Sequence, residues 1–391
     1  MSDTPSMGRP GPLSGIRVLD LSAYIAGPYG CSLLADQGAE VIKIEPPVGD
    51  NLRKYPSTLD TESRAFLGVN RSKRGVVLDL KDPQDLDRLM ALVRSADVLV
   101  HNFRPSVPQR LGIAYEQLRE VNPRLIYCAV TGFGEAGPLK DKAGYDQVLQ
   151  TMTGMCTLQG VAGGSPEILY GSVVDYYAAA LVAGGVSSAL YEREKSGEGQ
   201  YVGVSLLRSA LAMQSARLVW ADSEPREVGR DMRSGGITGI HPTREGWIYI
   251  SANTPHFWQA LCEKTGLQEL LAERYNTVRK RAQHHEEIVP RLHAALARHT
   301  ALEWEALFGE AVPCAAARSV EDMFDFPQVQ AEDMVTAYDH PVVGRYRGFT
   351  RAWRYSRTPG PDPFAAPVLD QHGADVRAEA DRLRSDTGRG H

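Results

Sequence analysis

Residues 16–44 read IRVLDLSAYIAGPYGCSLLADQGAEVIKI, and this stretch decides the fold. Residues 16–21 (IRVLDL) form a short β-type run. Pro28 suits the first turn of a following helix, where its missing N–H would have no partner anyway. Gly38 ends that helix, and residues 40–44 (EVIKI) form a second β-type run. Strand, helix, strand at this spacing is a βαβ unit, whose two strands run parallel. Outward from it the pattern repeats. A third run lies at 76–80, followed by a helix over 83–94 with Leu86, Leu89, Met90 and Val93 at i, i+3, i+4 and i+7. Further strands are expected at 98–100, 125–130 and 201–204. The fold class is therefore α/β, built on a parallel sheet. Ligands of such sheets sit at the carboxyl ends of the strands, which directs attention to the loops after Leu21, Ile44, Val100 and Val130.

The second half reads differently. From about residue 145 it is mostly helical, with a buried helix over 173–191 and another from 205 to about 220. A polar linker is expected at 221–233, then a short β region at 247–251 and more helices to 300. The chain has 391 residues, 43% hydrophobic and 23% charged, enough apolar material for a large core. At about 150 residues per domain, two or three domains are expected. A net charge of −5 argues against a general nucleic-acid binder, which needs a basic footprint. Five scattered cysteines without a CxxC pair argue against a disulfide scaffold or a zinc site and for a reducing compartment. Residues 1–12 lack the apolar core of a signal peptide. The apolar stretch 178–190 is interrupted by Gly184, Gly185, Ser187 and Ser188 and falls short of the roughly 20 residues that span a bilayer. A cytoplasmic protein with no membrane partner is expected.

Several familiar motifs carry little. Gly132-Phe133-Gly134-Glu135-Ala136-Gly137 matches GxGxxG, but Pro138 and a polar run follow it instead of a helix, which argues against a dinucleotide site. There is no P-loop and no GxSxG elbow, and His284-His285-Glu286-Glu287 lacks metal-ligand spacing. No metal is expected. Asp175 is more informative: it is the only charged residue between Ile168 and Tyr191, in the first turn of an Ala/Gly-rich helix. It either caps that helix or serves as a poorly solvated nucleophile, with nearby backbone N–H groups as candidate oxyanion donors. A second feature is basic: Arg71, Lys73 and Arg74 before the third strand, Arg104 and Arg110 after the fourth, with Lys43, Lys140 and Lys142. Jointly these cations suit a ligand with several phosphates.

The segments PLSGIRVLDLSAYIAGP, LADQGAEVIKIEPPVGDNLR, NRSKRGVVLDLK and ADVLVHNFRPSVPQRLGI resemble the class III coenzyme A transferases. That family includes formyl-CoA transferase, carnitine CoA-transferase and succinyl-CoA-dependent dicarboxylate CoA-transferases, with α-methylacyl-CoA racemase as a relative. The resemblance continues through AGYDQVLQTMTG, SGEGQYVGVSLL and GWIYIS to HPVVG, nearly the whole chain. It implies a large domain with a Rossmann-like sheet, from 1–224 and 326–391, a smaller α+β domain over 225–325, and an interlocked homodimer. It also implies that Asp175, 29 positions after Asp146 of Gly144-Tyr145-Asp146, is the nucleophile. Tyr145, Asp146, Gly235 and Gly236 are then substrate-pocket residues, the two glycines belonging to a loop that covers the active site in some members. Tyr24, Ile25, Ala26, Lys73, Asn102, Phe103 and Arg110 fall where family members contact coenzyme A.

The expected activity is transfer of coenzyme A from an acyl-CoA, with succinyl-CoA as the donor suggested by the resemblance, to a small carboxylic acid. The thioester is a substrate and no further cofactor is implied. A 2-methylacyl-CoA racemase and a non-catalytic CoA-binding protein are the alternatives. Racemase relatives carry histidine where this chain has Tyr145, and a phenol is poorly suited to act as a base near neutrality. Formyl-CoA transferase has glutamine where Ile25 stands, so formyl specificity does not carry over. Tyr176 and Tyr177, beside the nucleophile, are expected to narrow the acyl pocket.

Overall fold

The computed structural model describes residues 10–159, 164–223 and 236–387. They form two compact units, Met1–Glu224 with Gln328–His391, and Pro225–Pro327. In the first unit the strands are β1 (Arg17–Asp20), β2 (Glu40–Glu45), β3 (Arg74–Val77), β4 (Val98–His101), β5 (Ile126–Thr131) and β6 (Tyr201–Ser205). They pair in the order β3-β2-β1-β4-β5-β6, every pair parallel. This is the doubly wound arrangement, and the order reverses between β1 and β4.

Side chains alternate across the sheet with the period of two that a strand imposes. Val18, Val98, Val100 and Cys128 face a core formed with α1 (Ala26–Asp36), which packs against the long helix described below. Leu19, Leu99, Tyr127 and Ala129 face the other side. A short helix α2 (Arg64–Val69) precedes β3, and α3 (Pro83–Ser95) follows it. Asp82 caps α3 by accepting the Gln84 N–H at 2.8 Å, and Pro83 opens the helix. α4 (Ser106–Leu111) and α5 (Tyr115–Val121) lead to β5, and α6 (Asp146–Met152) leads to α7 (Val173–Ser196). α7 is, among the described residues, the one helix long and apolar enough to cross a membrane, yet Val174, Ala178, Val182 and Val186 pack on α1 and the sheet.

The GxGxxG match is a turn, not the opening of a helix. Gly134 and Gly137 take φ of 93° and 86°, and a Cβ on Gly132 would sit 2.7 Å from the Gly144 Cα. Glycine is needed there for close backbone approach and left-handed turns. The helix after β6, α8 (Leu206–Ala212), ends well before the expected residue 220. The Gln214 amide folds back onto the Ala210 carbonyl at 3.1 Å and reaches the Thr153 hydroxyl at 3.2 Å, closing the helix early.

The second unit carries a three-stranded antiparallel sheet, β7 (Gly239–Pro242), β8 (Trp247–Ile250) and β9 (Cys314–Ala316). Helices α9 (Pro255–Thr265), α10 (Val278–Gln283), α11 (His285–Leu296) and α12 (Ala301–Phe308) belong to it. Its own core holds Ile248, Trp258, Leu292, Trp304 and Phe308. After α13 (Pro327–Ala331) comes the hairpin β10 (Val335–His340) and β11 (Gly344–Phe349). The last helix, α14 (Gly373–Thr387), packs on α3 and places Val376 and Ala380 in the core beneath the sheet. All five cysteines are free.

Candidate active site

A pocket of about 140 Å³ opens at the carboxyl ends of the sheet strands. Tyr24, Ile25 and Ala26 reach it from the β1–α1 connection, Leu52 and Tyr55 from the segment after β2, and Asn102 from the end of β4. Val130 and Thr131 close β5 there, and Leu206 opens α8. Tyr145, Asp146 and Gln147 at the start of α6, with Ser172 and Asp175 at the start of α7, complete the wall.

Asp175 and Asp146 are tied together through the α7 backbone. Asp146 is almost wholly buried. Its Oδ2 accepts the N–H of Val174 at 2.6 Å and of Asp175 at 3.1 Å, 29 positions away, and its Oδ1 accepts the Gln150 amide. A helix start leaves its first N–H groups without intrahelical partners and carries positive dipole. Asp146 meets both needs. The capping role that Asp175 could have filled is thus taken by Asp146, and among the described residues no donor bonds the Asp175 carboxylate. Burial pushes the Asp175 carboxyl up to about 7, and the nearby negative charge of Asp146 pushes the same way. The amides of Val174 and Asp175 are occupied, so they are not free oxyanion donors, contrary to the expectation from sequence.

Seven of the sequence-selected residues meet in this pocket: Tyr24, Ile25, Ala26, Asn102, Tyr145, Asp146 and Asp175. The other described residues of that set in the first unit do not line it. Lys73 is fully buried, with its Nζ 2.8 Å from Asp20, 2.7 Å from the Pro28 carbonyl and 2.9 Å from the Asn70 side-chain oxygen. Phe103 stacks on His101 with ring centroids 5.3 Å apart and packs into the core on the α3 side. Arg110 sits in the last turn of α4, exposed. Gly235 lies outside the described residues; Gly236 has φ of 80° in the second unit. Tyr176 does not line the pocket: its ring meets Tyr29 edge-on at 5.1 Å, and Tyr177 is absent from the wall too.

The basic cluster is also redrawn. Lys43 pairs with Asp50 at 3.1 Å, Lys73 with Asp20 and Arg71 with Asp36 at 2.5 Å, all buried. These cations neutralise buried carboxylates, so they are not a surface for phosphates. Burial alone would raise the Asp20 carboxyl, but Lys73 and Lys43 overcome it and hold the group below its ordinary value. Arg104, Arg110, Lys140 and Lys142 are the exposed members. Sequence reasoning missed Leu52, Tyr55, Thr131, Gln147, Ser172 and Leu206. Of these, Leu52 and Tyr55 follow the β2 strand end that the fold rule marks as a ligand loop.

A sequence model of CoA-transferase family III matches residues 13–373. The chain is 32% identical to the succinyl-CoA:glutarate CoA-transferase of Mus musculus over 394 residues, covering 99% of this chain and 89% of that protein. It is 33% identical to the acetyl-CoA:oxalate CoA-transferase of Acetobacter aceti over 392 residues, covering 97% and 98%. Among solved structures, a CAIB/BAIF family protein from Brucella suis superimposes with a TM-score of 0.84 at 28% identity, over 95% of this chain and all 100% of that one.

Proposed function

The chain belongs to CoA-transferase family III and is a CoA-transferase, and from that premise we propose that Asp175 carries the acyl group and then the coenzyme in turn. The observation that supports this reading most is the uncapped, poorly solvated Asp175 carboxylate, freed by Asp146 at the strand-end pocket. In the proposed cycle an Asp175 oxygen attacks the thioester carbonyl carbon of the donor. The C–S bond breaks, leaving a mixed anhydride and a bound CoA thiolate. The thiolate attacks the Asp175 carbonyl carbon, the donor acid leaves as its carboxylate, and an aspartyl-CoA thioester remains. An acceptor carboxylate attacks that carbon and expels the thiolate. The thiolate then attacks the acceptor acyl carbon and releases Asp175.

Every step exchanges one anion for another, and no proton moves. The pocket wall fits that balance: it contains no histidine among the described residues. Tyr145 is held above its ordinary pKa, first by its hydrogen bond with Tyr24, and so keeps its proton. Racemisation at an α-carbon would need a base and an acid instead. Succinyl-CoA is the proposed donor and a small carboxylic acid the acceptor, in keeping with the relatives that carry those substrates in their names. An interlocked homodimer is the proposed working state. Exposed Tyr191, Leu218, Val219 and Trp220 in the first unit give it apolar surface to bury.

The test is to incubate the protein with a panel of acyl-CoAs, quench with hydroxylamine or borohydride, and search for modified Asp175 by mass spectrometry. A modified Asp175 is expected with the true donor. No adduct with any donor, together with full activity of Asp175→Ala, would sink the covalent cycle. Deuterium exchange at the α-carbon without CoA transfer would establish the racemase instead.

A further inference from the structure

Tyr24 is gripped at both ends by the segment that follows β2. At the backbone, Asp50 Oδ1 accepts the Tyr24 N–H at 3.1 Å and the Leu52 N–H at 2.9 Å, so one carboxylate oxygen ties together two walls of the pocket. Asp50 is itself buried, with its Oδ2 3.1 Å from Lys43 Nζ. At the far end of the side chain, Asn51 Nδ2 donates to the Tyr24 hydroxyl oxygen at 3.1 Å.

This grip sustains an unfavourable backbone. Tyr24 takes φ of 65°, in the left-handed region that a bulky side chain avoids. Such strain persists only where surrounding structure over-determines it, and it concentrates at functional sites. The Tyr24 ring stands in the pocket wall, edge-on to Tyr55 at 6.4 Å and to Tyr145 at 5.9 Å. A phenol has one proton to give, and the Tyr24 oxygen already accepts from Asn51, so its O–H is directed away from that amide. The raised pKa of Tyr145 beside Tyr24 fits a Tyr145 proton held toward Tyr24, not the reverse. The Tyr24 proton is left for a ligand oxygen.

Asp175 borders the same cavity of about 140 Å³, so an acyl carbon presented to Asp175 has its tail enclosed by the wall that holds Tyr24. Among the described residues that wall contains no lysine, arginine or histidine, so a tail oxygen there meets neutral donors. We propose that Tyr24 selects the acyl tail: its hydroxyl, steered by Asn51, donates to an oxygen at the far end of the acyl group, so that a dicarboxylic acyl group such as succinyl is preferred over an all-carbon chain of the same length. A hydrogen bond to a charged oxygen is stronger than one between neutral groups, and an all-carbon tail leaves the phenol proton without a partner. The inference rests on the proposed transfer of succinyl-CoA at Asp175, and the two can fail separately.

The experiment measures dissociation constants of succinyl-CoA and butyryl-CoA by calorimetry on Asp175→Asn, which binds them without the proposed covalent step, and on the same protein carrying Tyr24→Phe or Asn51→Leu. Succinyl-CoA should bind more tightly than butyryl-CoA, and Tyr24→Phe should cut that preference about tenfold, as for one hydrogen bond to a charged group. Asn51→Leu keeps the phenol but no longer steers it, and should cut the preference by about threefold. Equal weakening of both thioesters by Tyr24→Phe would make Tyr24 a coenzyme contact or a packing residue and overturn the assignment. A preference unchanged by Tyr24→Phe, or absent from Asp175→Asn at the start, would overturn it too. Continued coenzyme transfer by Asp175→Asn when an acid is added is the separate readout. It would refute the covalent cycle, while the ratio of the two dissociation constants still decides the role of Tyr24.

Discussion

The Asp146 carboxylate accepts the backbone N–H of Asp175 at 3.1 Å while its charge opposes ionisation of the Asp175 side chain. One residue thus both anchors the Asp175 backbone and adds to the upward shift of the Asp175 carboxyl. Asp146→Ala removes three acceptor contacts at once and should cost about 1–2 kcal/mol of stability, as for other lost helix caps. Asp146→Asn keeps a hydrogen-bond acceptor but removes the charge. The pH midpoint of Asp175 adduct formation should then move down, yet stay above the ordinary carboxylate range, because burial is the larger cause of the shift. Chemical denaturation checks the first expectation and single-turnover trapping across pH the second.

Asp175 itself should show a trade between stability and activity. Its folded pKa of about 7 lies above the ordinary aspartate value of 3.8, so the folded state binds the extra proton between those limits. Stability is therefore greatest below about pH 4 for this group and is lost as pH rises through 7. With a shift of about three pKa units, Asp175→Asn should gain on the order of 2–4 kcal/mol at pH 8 and much less near pH 4, while losing adduct formation. Thermal melts of both proteins at the two pH values decide this, and an equal gain at both would refute it. In the unsubstituted protein the rate of Asp175 acylation should climb with pH about a midpoint near 7.

Much of the sheet was legible because its central strands β4 and β5 put apolar residues on both faces, as in Val98-Leu99-Val100 and Tyr127-Cys128-Ala129. That pattern marks a strand covered on both faces. The ligand loops followed from strand polarity, and Asp175 stood out as the lone charge in its apolar stretch, the resemblance then implying its role. The partner of each charge was not legible. Lys73 and Asp20 are 53 positions apart and Arg71 and Asp36 are 35 apart, so sequence displayed the cations without the carboxylates that bury them. Nor did spacing show that Asp146 would take the helix cap, since the contact crosses from the start of one helix to the start of another.

The buried location of Lys73 gives a discriminating outcome. Removing one partner of a buried ion pair leaves a desolvated charge and typically costs about 3–5 kcal/mol. Lys73→Met should lower the denaturation midpoint sharply, since Asp20 loses its nearest cation and keeps only Lys43. Whatever folds should show losses in kcat as well as in both KM values, because Lys73 also holds the Pro28 carbonyl beneath the pocket loop. A normal midpoint with a raised thioester KM alone would return Lys73 to the role of a direct coenzyme contact.

Arg110 is the converse case. It lies in the last turn of α4, exposed, and a guanidinium there is free to meet a phosphate without breaking anything buried. Arg110→Ala should therefore leave the melting temperature unchanged and raise the thioester KM by about three- to tenfold at low salt, as for one exposed charge-assisted contact. The difference should shrink as ionic strength rises, because an exposed pair is screened within about 8–10 Å in ordinary buffers. Comparing CoA with its 3′-dephosphorylated form separates two targets. If Arg110 meets the 3′-phosphate, the variant and the unsubstituted protein bind the dephosphorylated form alike; if it meets the pyrophosphate, the penalty survives. An unchanged KM for every thioester at low salt would place Arg110 on ordinary solvated surface.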